Sequence, residues 1–135
     1  MPDAASGIVP IPDSHRDLLT GTHLAAVATL EPDGSPQVSA TWIDLVDGRL
    51  LIPVKRRLRK TQNLRRDPRV SVLVVSRDDP GRFIEVRGVA ELVDDPDSAL
   101  TARLWQRYEG VPWPGDDQGG ERLQCRIAPT RVRTS

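Results

Sequence analysis

The chain has 135 residues, 38% of them hydrophobic, with 19 basic and 19 acidic side chains and a formal net charge of zero. That length sets one domain with one core, and no apolar run approaches the roughly 20 residues that cross a bilayer. The single cysteine, Cys125, excludes an internal disulfide and a Cys-cluster metal site, and the N-terminal segment lacks the basic start and apolar stretch of a secretion signal, so the expected location is the cytoplasm.

Residues 1–13 hold three prolines before Asp13 and read as a flexible arm, with a single domain over 14–135. Ser14 followed by Asp17 suggests a capped short helical turn ending at Gly21. The apolar run His23 to Leu30 is followed by Asp33-Gly34, a hairpin signal because such turns need positive φ. The return strand covers about Gln37 to Leu45, and Asp47-Gly48 marks a second hairpin into Arg49 to Val54. Pro53 removes a ladder donor, so that strand is expected at an edge or bulged there.

Lys55 to Arg69 comes next, with eight basic residues and one acid, Asp67. Leu58, Thr61 and Leu64 give it a narrow apolar helical stripe, and Asp67-Pro68 ends the helix. Val70 to Val75 reads as a buried strand, and Phe83 to Ala90 alternates after the Asp78-Asp79-Pro80-Gly81 turn. Pro96 suits the opening of a helix that packs through Leu100, Leu104, Trp105 and Tyr108. Val111 to Gly120 reads as a loop, and Glu121 to Val132 as a last strand with Leu123, Cys125 and Ile127 on one side. Short strands, tight turns and few helices favour a mainly β domain, a small antiparallel barrel.

Conventional catalytic patterns are absent. His15 and His23 are not spaced as a metal pair, and neither a Walker loop nor GxGxxG occurs. Cys125 reads as an inert strand residue, and any hard chemistry falls to a cofactor. The basic segment therefore carries the functional question. It fits a phosphate on a cofactor, a solvated helix face, or nucleic acid; aromatic residues total only 4% and none interleaves with it, which disfavours the last. Seventeen arginines against two lysines suggest a GC-rich genome, which makes Lys55 and Lys60 the more informative cations. Ala26, Ala28 and Ala40 suit either tight strand packing or the approach of a flat ring. Trp42 reads as core or cleft wall, Trp105 as helix packing, and Trp113 as a loop anchor or a pocket cap.

The strings AVATLEPDGSPQVSATW (26–42), RKTQNLRRDPRVSVLV (59–74), FIEVRGVAEL (83–92) and RIAPTRVR (126–133) resemble the flavin/deazaflavin oxidoreductase superfamily, in its small F420-binding actinobacterial branch. The resemblance implies the antiparallel split β-barrel of pyridoxamine 5′-phosphate oxidase. It implies a homodimer with the cofactor site between protomers, and coenzyme F420 as cofactor, with FMN as the alternative. The lysine of the K-T-x-N-L string, Lys60, would contact a phosphate, with Asn63 one turn on. Lys55, Arg56, Arg57 and Arg59 would reach the same phosphate or the acidic tail. Val27, Ala28 and Thr29, with Ser39 and Thr41, would neighbour the ring, and Ile52 and Val54 would follow from the next strand. The implied activity is hydride transfer from reduced F420 to a small organic acceptor. An FMN-dependent oxidoreductase, and a non-enzymatic F420 carrier or nucleic-acid binder, are the alternatives.

Overall fold

The computed structural model describes residues 8–115 and 121–135. A 3-10 turn (Asp13–His15) leads into α1 (Asp17–Thr20), then β1 (Ala25–Leu30), β2 (Pro36–Thr41), β3 (Asp44–Val46) and β4 (Arg49–Lys55). Next come α2 (Arg59–Arg66), β5 (Arg69–Val75), β6 (Phe83–Asp94), α3 (Ala99–Glu109) and β7 (Arg122–Thr134). Among these elements no helix is long and apolar enough to cross a membrane.

The strands form one seven-stranded antiparallel sheet in the order β2-β1-β5-β6-β7-β4-β3. Its two outermost strands, β2 and β3, are joined by Trp42 and Ile43 alone. Three peptide units of about 3.8 Å keep Thr41 and Asp44 within roughly 11 Å of each other. The sheet therefore curls until its edges meet at that corner, yet no ladder closes them. This is the expected barrel, left split along one side. Gly88 lies at the bulge where β6 crosses β7, and a Cβ there would stand 2.4 Å from the Ala128 carbonyl oxygen.

The turn chemistry holds at Asp47 and Gly48, which take φ of 52° and 77°, as a tight hairpin with two left-handed residues requires. The first hairpin is looser. Residues 31–35 form the loop, and Asp33 Oδ1 accepts from the Ser35 backbone N–H and hydroxyl. β3 ends opposite Leu51, so at Pro53 β4 has β7 as its only ladder neighbour, and the missing donor harms no pairing.

Several local expectations give way to tertiary structure. Ile11 is buried and the Val9 N–H donates to Pro129 O at 2.8 Å, so residues 8–13 are docked rather than loose. Ser14 bonds His15 Nδ1 and makes no cap. The expected 37–45 strand breaks at Trp42 and Ile43 because the chain changes sheet edge there. β5 is buried on one face only, leaving Leu73 and Val75 exposed. Pro96 does not open α3. The helix begins at Ala99, and the Asp95 carboxylate accepts from the Ala99 and Leu100 N–H groups. Of the expected loop, residues 111–115 are irregular and 116–120 lie outside the described residues.

The main core fills the barrel with Leu18, Leu19, Ile43, Leu50, Ile52, Ile84 and Ile127, all 0–1% exposed. A second cluster joins α3 to the outside of β4 through Leu51, Leu100 and Leu104, flanked by Trp42 and Tyr108. Trp42 stacks on Tyr108 at 5.0 Å and meets Trp105 edge-on at 5.7 Å. Both tryptophans thus serve packing.

Candidate cofactor site

Helix α2 forms because Arg59 to Arg66 contains no glycine or proline, and it stops at Asp67, which Pro68 holds in the extended region. Its buried side chains are Lys60, Thr61, Asn63 and Leu64, while Leu58, expected on the stripe, sits exposed at the N-cap. Lys60 and Asn63 are buried in its place; Asn63 finds a polar partner at the end of β1. Arg59, Asn63 and Arg66 face the end of β1. Arg59 lies 3.7 Å from Glu31, Asn63 Nδ2 donates to Thr29 Oγ1 at 3.0 Å, and Arg66 donates to the Leu30 carbonyl. Thr61 ties the other side by donating to Lys55 O at 2.6 Å. Because Thr29 Oγ1 in turn donates to Gln37 Oε1, α2, β1 and β2 share one hydrogen-bond chain.

Lys60 faces the barrel interior, beside Cys125 of β7. It is 8% exposed and has no hydrogen bond or ion pair among the described residues. Burial lowers its pKa below the ordinary lysine value, and the neighbouring thiol offsets this only in part. The same burial pushes the Cys125 thiol up to about 12, so Cys125 is an inert core residue rather than a nucleophile. A charge largely withdrawn from water with no counter-ion among the described residues is costly, and it marks the place where an anion would be favoured.

Half of the basic segment is paired with acids, whereas Lys55, Arg65 and Arg66, like Lys60, make no ion pair among the described residues. Arg56 pairs with Asp94 at 2.9 Å, Arg57 with Glu121 at 3.1 Å, and Arg69 with Asp67 at 2.7 Å. Sequence reasoning had located the cations but not Asp94, Glu121 and Glu31, whose approach depends on how distant segments pack. Lys55, at the exposed end of β4, makes no ion pair among the described residues.

The expected ring neighbours divide between two faces. Val27, Ile52 and Val54 are each 1% exposed in the core, and Thr29 is locked by Asn63. Ser39 stands opposite Val27 on the inner face, its hydroxyl buried without a partner, and Thr41 stands opposite Ala25. Ala28 faces outward, beside Ala26 and Ala40, into a groove of about 470 Å³ shared with Leu30, Arg69, Glu85 and Val89. Consecutive residues of a strand point to opposite sides, so Val27, Ala28 and Thr29 cannot all touch one flat ring. A smaller groove of about 290 Å³ lies at the split, between Ala40, Thr41 and Trp42 on one edge and Pro53 and Arg122 on the other. Trp113, in the expected loop, is partly buried.

The histidines serve structure. His23 Nδ1 accepts from the Arg77 N–H at 2.9 Å, and His15 Nε2 lies 3.1 Å from the Ser135 hydroxyl. Among the described residues no cluster of His, Cys, Asp and Glu could hold a metal ion.

Residues 11–135 match the family described as pyridoxamine 5′-phosphate oxidase. A solved structure named F420 reductase shares 31% identity, covering 91% of this chain and 98% of its own, with a TM-score of 0.84. A conserved hypothetical protein from Mycobacterium tuberculosis shares 32% identity over 96% of this chain and 86% of its own, with a TM-score of 0.76. A putative pyridoxamine 5′-phosphate oxidase from Listeria innocua shares 27% over 82% and 86%, with a TM-score of 0.61.

Proposed function

We propose that this chain, which belongs to the pyridoxamine 5′-phosphate oxidase family, is an F420H2-dependent reductase that passes hydride to a small organic acceptor. The observation that carries this reading is Lys60, an 8% exposed side chain with no counter-ion among the described residues, in a helix that bridges the barrel end. A cofactor phosphate satisfies that charge through a charge-assisted bond. Likeness to a structure named F420 reductase over 91% of the chain supports the deazaflavin. Lys60 holds the phosphate, Asn63 fixes the helix that presents it, and Lys55 adds charge at the rim. The alanines of the outer face, Ala26, Ala28 and Ala40, offer a flat floor for the ring. When bound, the reduced deazaflavin supplies the hydride. The protein contributes position, exclusion of water and charge, and no side-chain nucleophile is required.

That outer face also supports a homodimer. Leu24, Val38 and Val89 are 60%, 63% and 46% exposed, and Leu73 lies beside Ala26 across the ladder. Such an apolar sheet face is covered in a stable assembly. The same covering would exclude water from the ring. The pairing of Arg56, Arg57 and Arg69 with acids disfavours nucleic acid, whose binding needs uncompensated cations.

Calorimetric titration with F420 and with FMN tests the reading. F420 is expected to bind, and Lys60→Ala to weaken it by about 1–3 kcal/mol. FMN bound as purified, with no affinity for F420, would replace the deazaflavin with the flavin alternative. That alternative draws support from the likeness to a putative pyridoxamine 5′-phosphate oxidase. Binding of F420 with no oxidation of F420H2 by any tested enone or quinone would leave a carrier.

A further inference from the structure

The outer-face groove that Ala28 enters also holds two charged side chains of β6, and their geometry selects a kind of ligand. Ile84 and Val86 of that strand belong to the core, so Glu85 and Arg87 stand on the outer face. Both line the groove of about 470 Å³, where Ala28, Leu30, Pro36 and Val89 form apolar walls. Ala28, Ser71 and Arg87 lie in one cross-strand row, as do Ala26, Leu73 and Glu85. Two strand spacings make each row about 10 Å long, comparable with a fused two- or three-ring system.

The polar end of the groove is incomplete. Glu85 Oε1 is buried with no hydrogen-bond partner among the described residues, and Arg87 Nε stands 3.8 Å from it, too far for a hydrogen bond. Arg133, opposite Glu85 on β7, makes no ion pair with it among the described residues. A buried carboxylate oxygen calls for an N–H or O–H donor, and the half-exposed guanidinium beside it calls for an acceptor. An amide or imide edge supplies both, an N–H and a carbonyl oxygen held about 2.3 Å apart across one carbon. Two slightly splayed hydrogen bonds leaving that edge end on partners a little further apart, as Glu85 Oε1 and Arg87 Nε are.

We infer that this groove binds a flat heterocycle by such an edge, with Glu85 accepting from its N–H and Arg87 donating to the adjacent carbonyl. The pyrimidinedione end of a deazaflavin or flavin ring carries this edge, and so does a separate small heterocycle. The inference draws on the ring floor proposed above and is independent of Lys60.

The test uses the full chain and 10-methyl-5-deazaflavin, which has the ring without the phosphate, beside its 3-methyl derivative, in which the N–H is blocked. Fluorescence titration at pH 7 is expected to show the unblocked ring bound at least about tenfold more tightly. Glu85→Leu is expected to weaken that ring by about tenfold and Arg87→Leu by about fivefold, whereas Glu85→Gln, which keeps an acceptor, should cost no more than about threefold. Displacement of the ring by F420 would identify the cofactor as the source of the edge, and F420 binding beside it would assign the groove to a second heterocycle; either upholds the site.

Equal binding of the two rings, or binding of neither, would overturn the inference, and the cofactor reading would stand if F420 still bound and Lys60→Ala weakened it. Unchanged affinity in Glu85→Leu, in a variant whose thermal unfolding matches the parent, would overturn it too. So would a Glu85→Leu variant that sediments as a monomer where the parent is a dimer, because the carboxylate would then belong to the contact between copies. Failure of F420 to bind, with the unblocked ring bound and the blocked one rejected, would end the cofactor reading and leave this site standing.

Discussion

Asn63 Nδ2 donates to Thr29 Oγ1 at 3.0 Å, linking the middle of α2 to the last turnward pair of β1. Both residues are about 1% exposed, so neither can turn to water if the other is lost. Thr29→Val keeps the shape and removes the acceptor, and it is expected to cost about 1–3 kcal/mol because the Asn63 amide is left buried and unpaired. Thr29→Ser keeps the hydroxyl and should cost less. Urea unfolding of both variants decides it; equal losses would show that the methyl group, not the hydrogen bond, carries the contact.

Lys60 sets up an opposition between stability and binding. Replacing it with Met fills the same volume and removes an unpaired buried charge, so the fold should gain stability while anion affinity falls. The pH dependence has a definite sign. Burial lowers the folded pKa below 10.5, so between the two values the unfolded chain binds more protons, and the parent gains stability as pH rises through that window. The advantage of Lys60→Met should accordingly shrink on going from pH 7 toward pH 10. Thermal melts across that range measure it, and an advantage that grows with pH would show that Lys60 has a counter-ion in solution.

The sheet and the helix were legible where the signal was local. Asp47-Gly48 has the two left-handed residues its turn demands, and Asp67-Pro68 ends α2 where the proline rule puts it. Lys60 and Asn63 stood out only through the family resemblance of the K-T-x-N-L string, since helical spacing pointed to Leu58, Thr61 and Leu64; the helix buries both. What the sequence concealed were relations between distant segments. Glu31 meets Arg59, and Asp94 meets Arg56, only after the sheet has curled. The surplus of positive charge from Lys55 to Arg69 was therefore real in composition and partly cancelled in space, by Asp94, Glu121 and Glu31. The inner and outer assignment of Val27, Ala28 and Thr29 depended in the same way on which face of β1 became core.

Asp44 anchors α3. It is 4% exposed and accepts from Arg103 and Arg107, each at 2.8 Å. Burial alone would push its carboxyl up, but the bonds from Arg107, the Leu45 N–H and Arg103 outweigh that and hold it below the ordinary carboxylate value. Asp44→Asn leaves two guanidinium groups facing a neutral amide, at a cost of about 3 kcal/mol, the lower end for a broken buried pair because Arg103 remains partly exposed. A depressed carboxyl stabilises above its unfolded pKa and loses that effect as pH falls through the folded value. The stability gap between parent and variant should close below about pH 3.8, the ordinary value. Tryptophan emission, sensitive to Trp42 and Trp105 at the α3 contact, follows the transition.

The outer face of β1, β2 and β5 provides the last test. Val38 lies opposite Ala28 and Leu73 opposite Ala26, so their side chains share one surface, and both are well exposed in the single chain. If two copies cover that surface, Val38→Glu and Leu73→Glu each bury a charge at the contact, and the double variant should sediment as a monomer. Its fold should survive, because neither side chain belongs to the core. F420 affinity should drop with the loss of the dimer if the ring lies between protomers. A monomer that binds F420 as tightly as the parent would place the whole site within one chain, whereas a double variant that stays dimeric would move the interface to another face.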